Sequence, residues 1–572
     1  MSRRHRTACP CRPLLPMLLL LAGLAAAAAA QEGDLSTFLD RVDVNLVNVE
    51  VFVTDRDGNP VAGLTRDDFE LRVDGEPVPL TNFFISEAAA RTVPELPTAD
   101  AGDAPQPLAE TPPAAAEAGD AAPARRRPLF LMAYVDHVHL LPGERKRVLD
   151  ELRLLVVERA AAGDQVMLVG YDGNLQVVQP FTGDAEALER GVDELEKTPT
   201  RRQTADTQLR VLISRIRHDF AEQVPNAGVG DVAVYRQERL LEARGAYAAL
   251  RSAVRGLAGI SGRKAVLYVS GGIPRRPGAE LTSLIFGSTA EARGTDYDLR
   301  YLYQQVAAEA NAHEITLYTF DARGPGGDFF LDAQNAGVTD FANSASFDFD
   351  RDVNLQEPLM EMAEETGGQA IINTADFRGA VDGLLRDFHT FYSLGFPSPH
   401  PGDGAYHDVE VRVKRPGLSV RHRDGYVDKP PQERVADRAT AFLLQGWESN
   451  PMGVQLQFGE PKKKGRRWLV PILVRIPAQA VTLLPRQDEM AGRVQIFVAV
   501  RDEEGRASEV TRLARDVAIP RAEMAEGQGR DLGYGVELEM RPGPASLVVG
   551  VWDEIGGTES YVHQKVVVGG PN

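Results

Sequence analysis

The sequence predicts an α/β protein with a largely parallel sheet flanked by helices, an N-terminal β unit and a C-terminal antiparallel β-sandwich. Between residues 128 and 389, apolar strand-like runs alternate with helix-length segments, which is typical of repeated β-α units. On either side of this region the hydrophobic pattern has period two, which indicates half-buried antiparallel strands. A chain of 572 residues is also too long for one core, so we expect about three to four domains.

The first thirty residues have the order of a secretory signal peptide. Arginines at positions 3, 4, 6 and 12 precede an apolar run from Leu14 to Leu24, and an alanine tract follows. We therefore expect cleavage near Ala30/Gln31 and export to the periplasm or the extracellular space. The residues after the first two arginines do not continue a twin-arginine pattern, so the general secretion route is favoured.

Cysteine content and charge exclude several classes of site and partner. Both cysteines, Cys9 and Cys11, lie within the predicted signal peptide, so the exported chain would have neither a disulfide nor a thiolate metal site. Loss of four arginines with that peptide would take the net charge from −19 to −23. So acidic a chain repels phosphate backbones, and we expect no nucleic-acid partner and no membrane span.

Residues 42–86 predict a small β domain, and residues 87–127 a linker. The first segment alternates with period two and is broken by the turn sequences DGNP and DGEP. Asp55, Asp57 and Asn59 resemble part of a calcium loop, but no distal acid completes it, so a hairpin turn is favoured. The second segment consists mainly of Ala, Pro, Asp and Glu and has almost nothing large to bury.

The α/β domain is predicted over residues 128–396. Its opening strand, PLFLMAYV, is apolar throughout and ends on Asp136, and ligands of open α/β sheets bind where such strands end. Two insertions interrupt the domain, over residues 207–236 and 324–354. The second carries Asp348, Asp350 and Asp352, which we interpret as a solvated acidic loop rather than a cation site, since the glycine and distal glutamate of an EF-type loop are missing.

Strands return after the α/β domain. Residues 397–430 predict a two-stranded β extension, and residues 431–572 a short helix followed by the antiparallel β-sandwich. One basic run in this acidic chain, KKKGRR at residues 462–467, is interpreted as a solvated hairpin tip rather than a site for an acidic partner.

Several blocks together resemble the bacterial von Willebrand factor A-related proteins of the type abundant in Acidobacteria. They are VNVEVFVTDRDGNPVAGLTRDDFEL near the start, LYTFDARG (317–324), MAEETGGQAIINTADF (362–377), FYSLGF (391–396) and VRVKRPGLSVRHRDGY (411–426). The resemblance implies a von Willebrand A-like sheet. It also implies a metal-ion-dependent adhesion site in which Mg²⁺ is held by Asp-x-Ser-x-Ser after the first strand, a later Thr, and an Asp after the fourth strand.

This sequence departs from that ligand set. The first motif is Asp136-His137-Val138-His139-Leu140, so both serine positions are apolar, and Gly271 stands where the second aspartate is expected, next to Ser270. Thr198, Thr200 and Thr204 are all candidates for the threonine. Near-octahedral Mg²⁺ tolerates few missing oxygens, so we predict a degenerate site without a cofactor, in which Asp136 is the one retained metal ligand.

The sequence therefore favours a secreted, noncatalytic protein that binds a protein or a cell-envelope polymer. We predict a partner-binding rim formed by Asp136, His137, His139, Thr204 and Ser270. One alternative is metal-dependent adhesion through Asp136, either with Mg²⁺ or, using His137 and His139, with Zn²⁺. Others are a hydrolase that pairs Ser270 with a histidine, and a spacer in an envelope assembly. The chain has no G-x-S-x-G, H-E-x-x-H or Walker motif.

Overall fold

The computed structural model describes residues 46–86, 128–224, 228–281, 297–325, 344–503, 507–521 and 531–569. The predicted signal peptide and linker lie outside the described residues. So do residues 42–45 of the small β domain and residues 326–343 of the second insertion.

The first strands of the described chain are β1 (Leu46–Thr54), β2 (Phe69–Val73), β3 (Glu76–Pro77) and β4 (Asn82–Ser86). In the α/β region the strands are β5 (Leu129–Asp136), β6 (Gln165–Tyr171), β7 (Leu175–Thr182), β8 (Arg263–Ser270), β9 (Ile315–Asp321) and β10 (Ala370–Ile371). Its helices are α1 (Pro142–Ala161), α2 (Ala185–Lys197), α3 (Arg202–Ala221), α4 (Val229–Arg255), α5 (Arg300–Ala312), α6 (Ser344–Glu365) and α7 (Phe377–His389).

In the described part of the chain the α/β sheet has six strands, in the order β10-β9-β8-β5-β6-β7. The first five are parallel, and β7 at the edge is antiparallel to β6. Apolar cores cover both faces: α1, α2 and α7 pack on one, and α4, α5 and α6 on the other. Burial on both faces explains why β5 is apolar along nearly its whole length. The predicted mostly parallel α/β sheet is present.

The strand Phe391–Pro397 (β11) corrects the predicted end of the α/β domain. We placed it with the parallel sheet, but it pairs antiparallel with β1 and β4, with Val49 opposite Leu394. Three further strands follow it, β12 (Tyr406–Val413), β13 (Ser419–His422) and β14 (Gly425–Val427). The sheets β13-β1-β11-β4 and β14-β12-β2-β3 share one apolar core. The N-terminal β unit and the β extension thus form a single sandwich.

The acidic stretch of the second insertion is also different from its prediction. Asp348, Asp350 and Asp352 lie on α6 rather than in a loop. The prediction failed because acids spaced in this way occur in helices as well as in loops. Asp352 is 2.5 Å from Nη1 of Arg323, so this acid is paired within the fold.

The C-terminal region begins with α8 (Pro431–Gln445), and its described residues continue with nine strands. They are β15 (Gln455–Phe458), β16 (Lys462–Lys464), β17 (Arg467–Pro477), β18 (Leu484–Arg486), β19 (Glu489–Asp502), β20 (Thr511–Pro520), β21 (Asp531–Met540), β22 (Gly543–Asp553) and β23 (Glu559–Val568). They form two antiparallel sheets around one core, with α8 packed on the outside of one sheet. The basic run forms the predicted exposed hairpin, with Lys464 opposite Arg467.

Candidate functional site at the carboxyl end of the parallel sheet

Asp136 lies at the topological switch point of the α/β sheet. It is the last residue of β5, whose neighbours β6 and β8 lie on opposite sides, and Ser270 is the last residue of β8. In open α/β sheets this crevice at the carboxyl ends of the strands is where ligands bind. The position of Asp136 therefore agrees with its choice as the centre of a candidate site.

A single 3₁₀ turn, His137–His139, follows β5 and is capped by the side chain of Asp136. Its Oδ1 accepts hydrogen bonds from the amides of Val138 (3.2 Å) and His139 (3.4 Å). The cap ends the strand at Asp136 and turns His139 back toward the carboxylate, so the alternation of β5 does not continue through the two histidines.

The second oxygen of Asp136 accepts three side-chain hydrogen bonds. Its Oδ2 lies 2.7 Å from Nδ1 of His139, 2.7 Å from the hydroxyl of Tyr268 and 3.0 Å from Oγ of Ser270. With the two amides, five donors surround a side chain that is only 1% exposed. A carboxylate offers about four lone-pair sites, so none remains free for a cation.

The charges of Asp136 and His139 support each other. Burial opposes ionisation of Asp136, but the charge and hydrogen bond of His139, with Tyr268 and Ser270, hold the pKa of the carboxyl below its ordinary 3.8. Burial also opposes a proton on His139, but the adjacent carboxylate outweighs it and the pKa of the imidazole lies above 6.5. Between these two pKa values the residues form a buried carboxylate–imidazolium pair.

Residues on either side of the first insertion, together with Glu144, lie around this pair. Glu242 on α4 places Oε1 3.8 Å from Nε2 of His139. At the start of α3, Nη1 of Arg202 lies 2.9 Å from Oε1 of Glu144 on α1. Side chains from α1, α3 and α4 thus close the carboxyl end of the sheet around Asp136 and His139.

Gly271 is held in place by close packing. Its amide donates to the carbonyl oxygen of His139 (3.1 Å). A β-carbon at this position would lie 2.2 Å from that oxygen and 2.8 Å from Nη1 of Arg202. An aspartate therefore does not fit here without movement of the backbone, and the residues present do not suit the magnesium site that the resemblance implies.

His137 lies in the same turn but has a different environment. It is fully buried, and its Nε2 would be 3.4 Å from a β-carbon at Gly170. Neither of its ring nitrogens has a hydrogen-bond partner among the described residues. Burial, and next the charge of Arg145, lower the pKa of His137 to about 4, so the ring is neutral at neutral pH.

The structure unites only part of the predicted rim. Asp136, His139 and Ser270 are joined by hydrogen bonds, and His137 lies beside them with its ring against Gly170. Thr204 is exposed on α3, and no hydrogen bond links it to Asp136 within the described chain. Tyr268 is a further member of the site that was not predicted. It stands two residues before Ser270, which puts both hydroxyls on one face of β8.

No helix in the described ranges is long and apolar enough to cross a lipid bilayer.

Comparison with known proteins gives structural neighbours only. No family model and no curated protein matches this chain. An aerotolerance-related membrane protein from Bacteroides fragilis is similar at 13% identity and a TM-score of 0.24, over 45% of this chain and 98% of its own. BatB from Bacteroides thetaiotaomicron is similar at 8% identity and a TM-score of 0.23, over 46% and 97%. The pilus adhesin SpaC from Lactobacillus rhamnosus GG is similar at 8% identity and a TM-score of 0.21, over 78% and 53%. The α/β assignment depends on the strand order given above.

Proposed function

We propose that this chain is an exported, noncatalytic binding protein of the von Willebrand A-related type, which recognises a protein partner without a metal ion at Asp136. The observation that carries the proposal is the saturation of Asp136 by five buried donors. The imidazolium of His139 supplies the positive charge that a cation would otherwise bring to this carboxylate.

Magnesium is a poor competitor for this position. It requires near-octahedral oxygen ligands and gives up its water reluctantly. To bind Asp136 it would have to displace the proton-bearing ring of His139 and enter a space that is closed by Gly271 and Arg202. The local hydrogen bonds therefore favour a closed site.

A hydrolase would need a contact between Ser270 and a histidine base, and the described residues do not show one. Oγ of Ser270 donates to Asp136 and accepts from the amide of Gly272 (3.0 Å), and no hydrogen bond joins it to either histidine in the described ranges. Nucleophilic catalysis needs a base in contact with the hydroxyl. These contacts support a positioning role for Ser270.

The helices α3, α4 and α6 offer a binding surface in place of the closed site. They share a small apolar core, and an ion pair between Arg351 and Asp206 (2.8 Å) joins α6 to α3. Large apolar side chains on these helices are exposed to solvent: Val211 (64%), Val234 (61%), Leu241 (59%) and Phe349 (67%). These exposed apolar groups are the candidate contacts for a protein partner.

Two measurements test the proposal. Calorimetry of the purified chain with Mg²⁺ should give no binding heat, either for the wild type or for Asp136→Ala. Heat that is present in the wild type and lost in the variant would contradict the closed site.

Cross-linking to an envelope fraction of the source organism tests the binding surface. Val211→Glu combined with Val234→Glu should abolish the cross-linked product irrespective of Mg²⁺. Val567→Glu, a matched change at an exposed valine of β23, should leave it unchanged. The surface assignment would be wrong if both changes had the same effect.

A further inference from the structure

A second cluster of aspartate and histidine lies on the N-terminal β-sandwich, away from the parallel sheet. Asp74 occupies the turn between β2 and β3, His400 follows β11, and His407 lies on β12. These residues come from segments more than three hundred positions apart, and pairing of β2 with β12 brings them together. Their ligand atoms all lie within 4.8 Å of one another.

The carboxylate of Asp74 is oriented by the backbone. Its Oδ1 accepts from the amide of Asp408 (2.9 Å), and its own amide donates to the carbonyl of Asp408 (3.0 Å). This leaves Oδ2 directed to the histidines, 2.8 Å from Nδ1 of His407 and 3.7 Å from Nε2 of His400. One carboxylate oxygen thus faces two imidazole nitrogens.

These separations suit a tetrahedral cation. Zinc bonds of about 2.0 to 2.2 Å place neighbouring ligand atoms about 3.3 Å apart. The two observed separations, 2.8 and 3.7 Å, lie on either side of that value. The rings of His400 and His407 are now stacked with 7° between their planes, so one ring must rotate for both nitrogens to face the same ion, and the side chain of His400, which is 48% exposed, has room to do so.

The other nitrogen of His407 is already held by a second carboxylate. Its Nε2 lies 3.2 Å from both oxygens of Asp403, and the rings of His407 and His400 stack at 4.6 Å. Histidines that bind metal ions usually donate their free nitrogen to such a carboxylate, which fixes the ring and strengthens the ligand. Asp403 therefore supplies the supporting contact that a histidine ligand needs.

We propose that Asp74, His400 and His407 bind one Zn²⁺ ion, with Asp403 orienting His407 and a fourth position open to water. Two imidazoles and one carboxylate suit zinc better than Mg²⁺ or Ca²⁺, which require oxygen donors. The ion would tie the segment between β11 and β12, which crosses from one sheet of the sandwich to the other, to the β2–β3 turn. The site does not depend on the proposed function at Asp136.

Zinc binding tests this proposal directly. The full chain, purified without a histidine tag and stripped with a chelator, should bind one Zn²⁺ per molecule by calorimetry, and its melting temperature should rise. Co²⁺ as a substitute should give the intense visible absorption of a tetrahedral site. His400→Ala should abolish the zinc binding heat, the rise in melting temperature and the cobalt absorption. Asp403→Ala should weaken zinc affinity by about ten- to a hundredfold.

The control is His218→Ala, which removes an exposed histidine from α3 and should change none of these signals. His400 is itself exposed, so its loss should leave the fold intact even if a change at buried His407 does not. Absence of zinc binding by the wild type, or undiminished binding by His400→Ala, would overturn the proposal.

Discussion

The two aspartate–histidine clusters contain the same residue types but have opposite surroundings. At the end of β5, Asp136 is buried and has five donors, one of them the ring of His139. On the β-sandwich, the side chain of Asp74 is 41% exposed and one of its oxygens faces two histidines. Our proposals for the two clusters therefore differ not because of residue type but because of the lone pairs left free and the space around them.

The same contrast governs stability. A buried charge pair is costly to break, because the remaining charge has no water to solvate it. An exposed pair contributes little, because water and salt screen it. Substitutions in the two clusters should therefore differ widely in effect.

The largest effect is expected for Asp136→Asn. This change leaves the ring of His139 without its counter-ion, and should lower the free energy of unfolding by about 3 to 5 kcal/mol. Urea denaturation measures the loss. Ser270→Ala, which removes a single hydrogen bond to the same oxygen, should cost about 1 kcal/mol. Equal costs for the two variants would contradict the buried ion pair.

Gly271→Asp should be nearly as damaging. It restores the acid that the family resemblance implies, but its β-carbon would collide with the backbone at His139, and overpacking of this kind costs about 3 kcal/mol. Gly230→Asp is the control, since a β-carbon at Gly230 meets nothing within 4 Å and an acid suits the first turn of α4. A stable Gly271→Asp variant that binds Mg²⁺ would contradict the closed site, because a single substitution would then be enough to create a magnesium site.

His137 should make the free energy of unfolding fall as the pH becomes acidic. Its pKa falls from 6.5 in the unfolded chain to about 4 in the folded protein. Stability is therefore full above the unfolded value and declines as pH falls through the folded one, by about 3 kcal/mol in total. His137→Leu should remove this dependence when denaturation is followed across that pH range.

His139, in the same turn, should give the opposite dependence of stability on pH. Its pKa is raised above 6.5, so its contribution is full below that value and declines as pH rises through the folded pKa. Identical pH profiles for His137→Leu and His139→Leu would refute the assignment of different environments.

The smallest effect is expected for Asp74→Asn, the matched change in the exposed cluster. Asparagine keeps the hydrogen bond to Asp408 and tolerates the left-handed backbone at this residue, where φ is 51°. In zinc-free buffer the cost should be less than about 1 kcal/mol. A loss as large as that for Asp136→Asn would remove the distinction between the clusters.

Sequence alone predicted the elements whose physics is local. The opening strand β5 was identified because residues buried on both faces must be apolar. That the site at Asp136 holds no Mg²⁺, which the missing serine and aspartate oxygens indicate, stays a prediction. The turn after β5 was not predicted, because the side chain of Asp136 caps it and ends the alternation of the strand. Pairing of β11 with β1 joins residues such as Val49 and Leu394, and no local pattern encodes so distant a contact.

The proposed zinc site was not predicted for the same reason, since the sequence indicated only a turn at Asp74. Its histidines were not connected to that turn until the sheet β14-β12-β2-β3 placed them beside it.

Nitrogen NMR of the His139 ring tests the central claim most directly. Selectively labelled protein is titrated from about pH 5 to about pH 8, the range over which histidine changes charge, with and without Mg²⁺. The account predicts that both ring nitrogens stay protonated above 6.5, the ordinary histidine pKa, and that Mg²⁺ leaves their signals unchanged. Loss of the proton on addition of Mg²⁺, with no such change in Asp136→Asn, would contradict it.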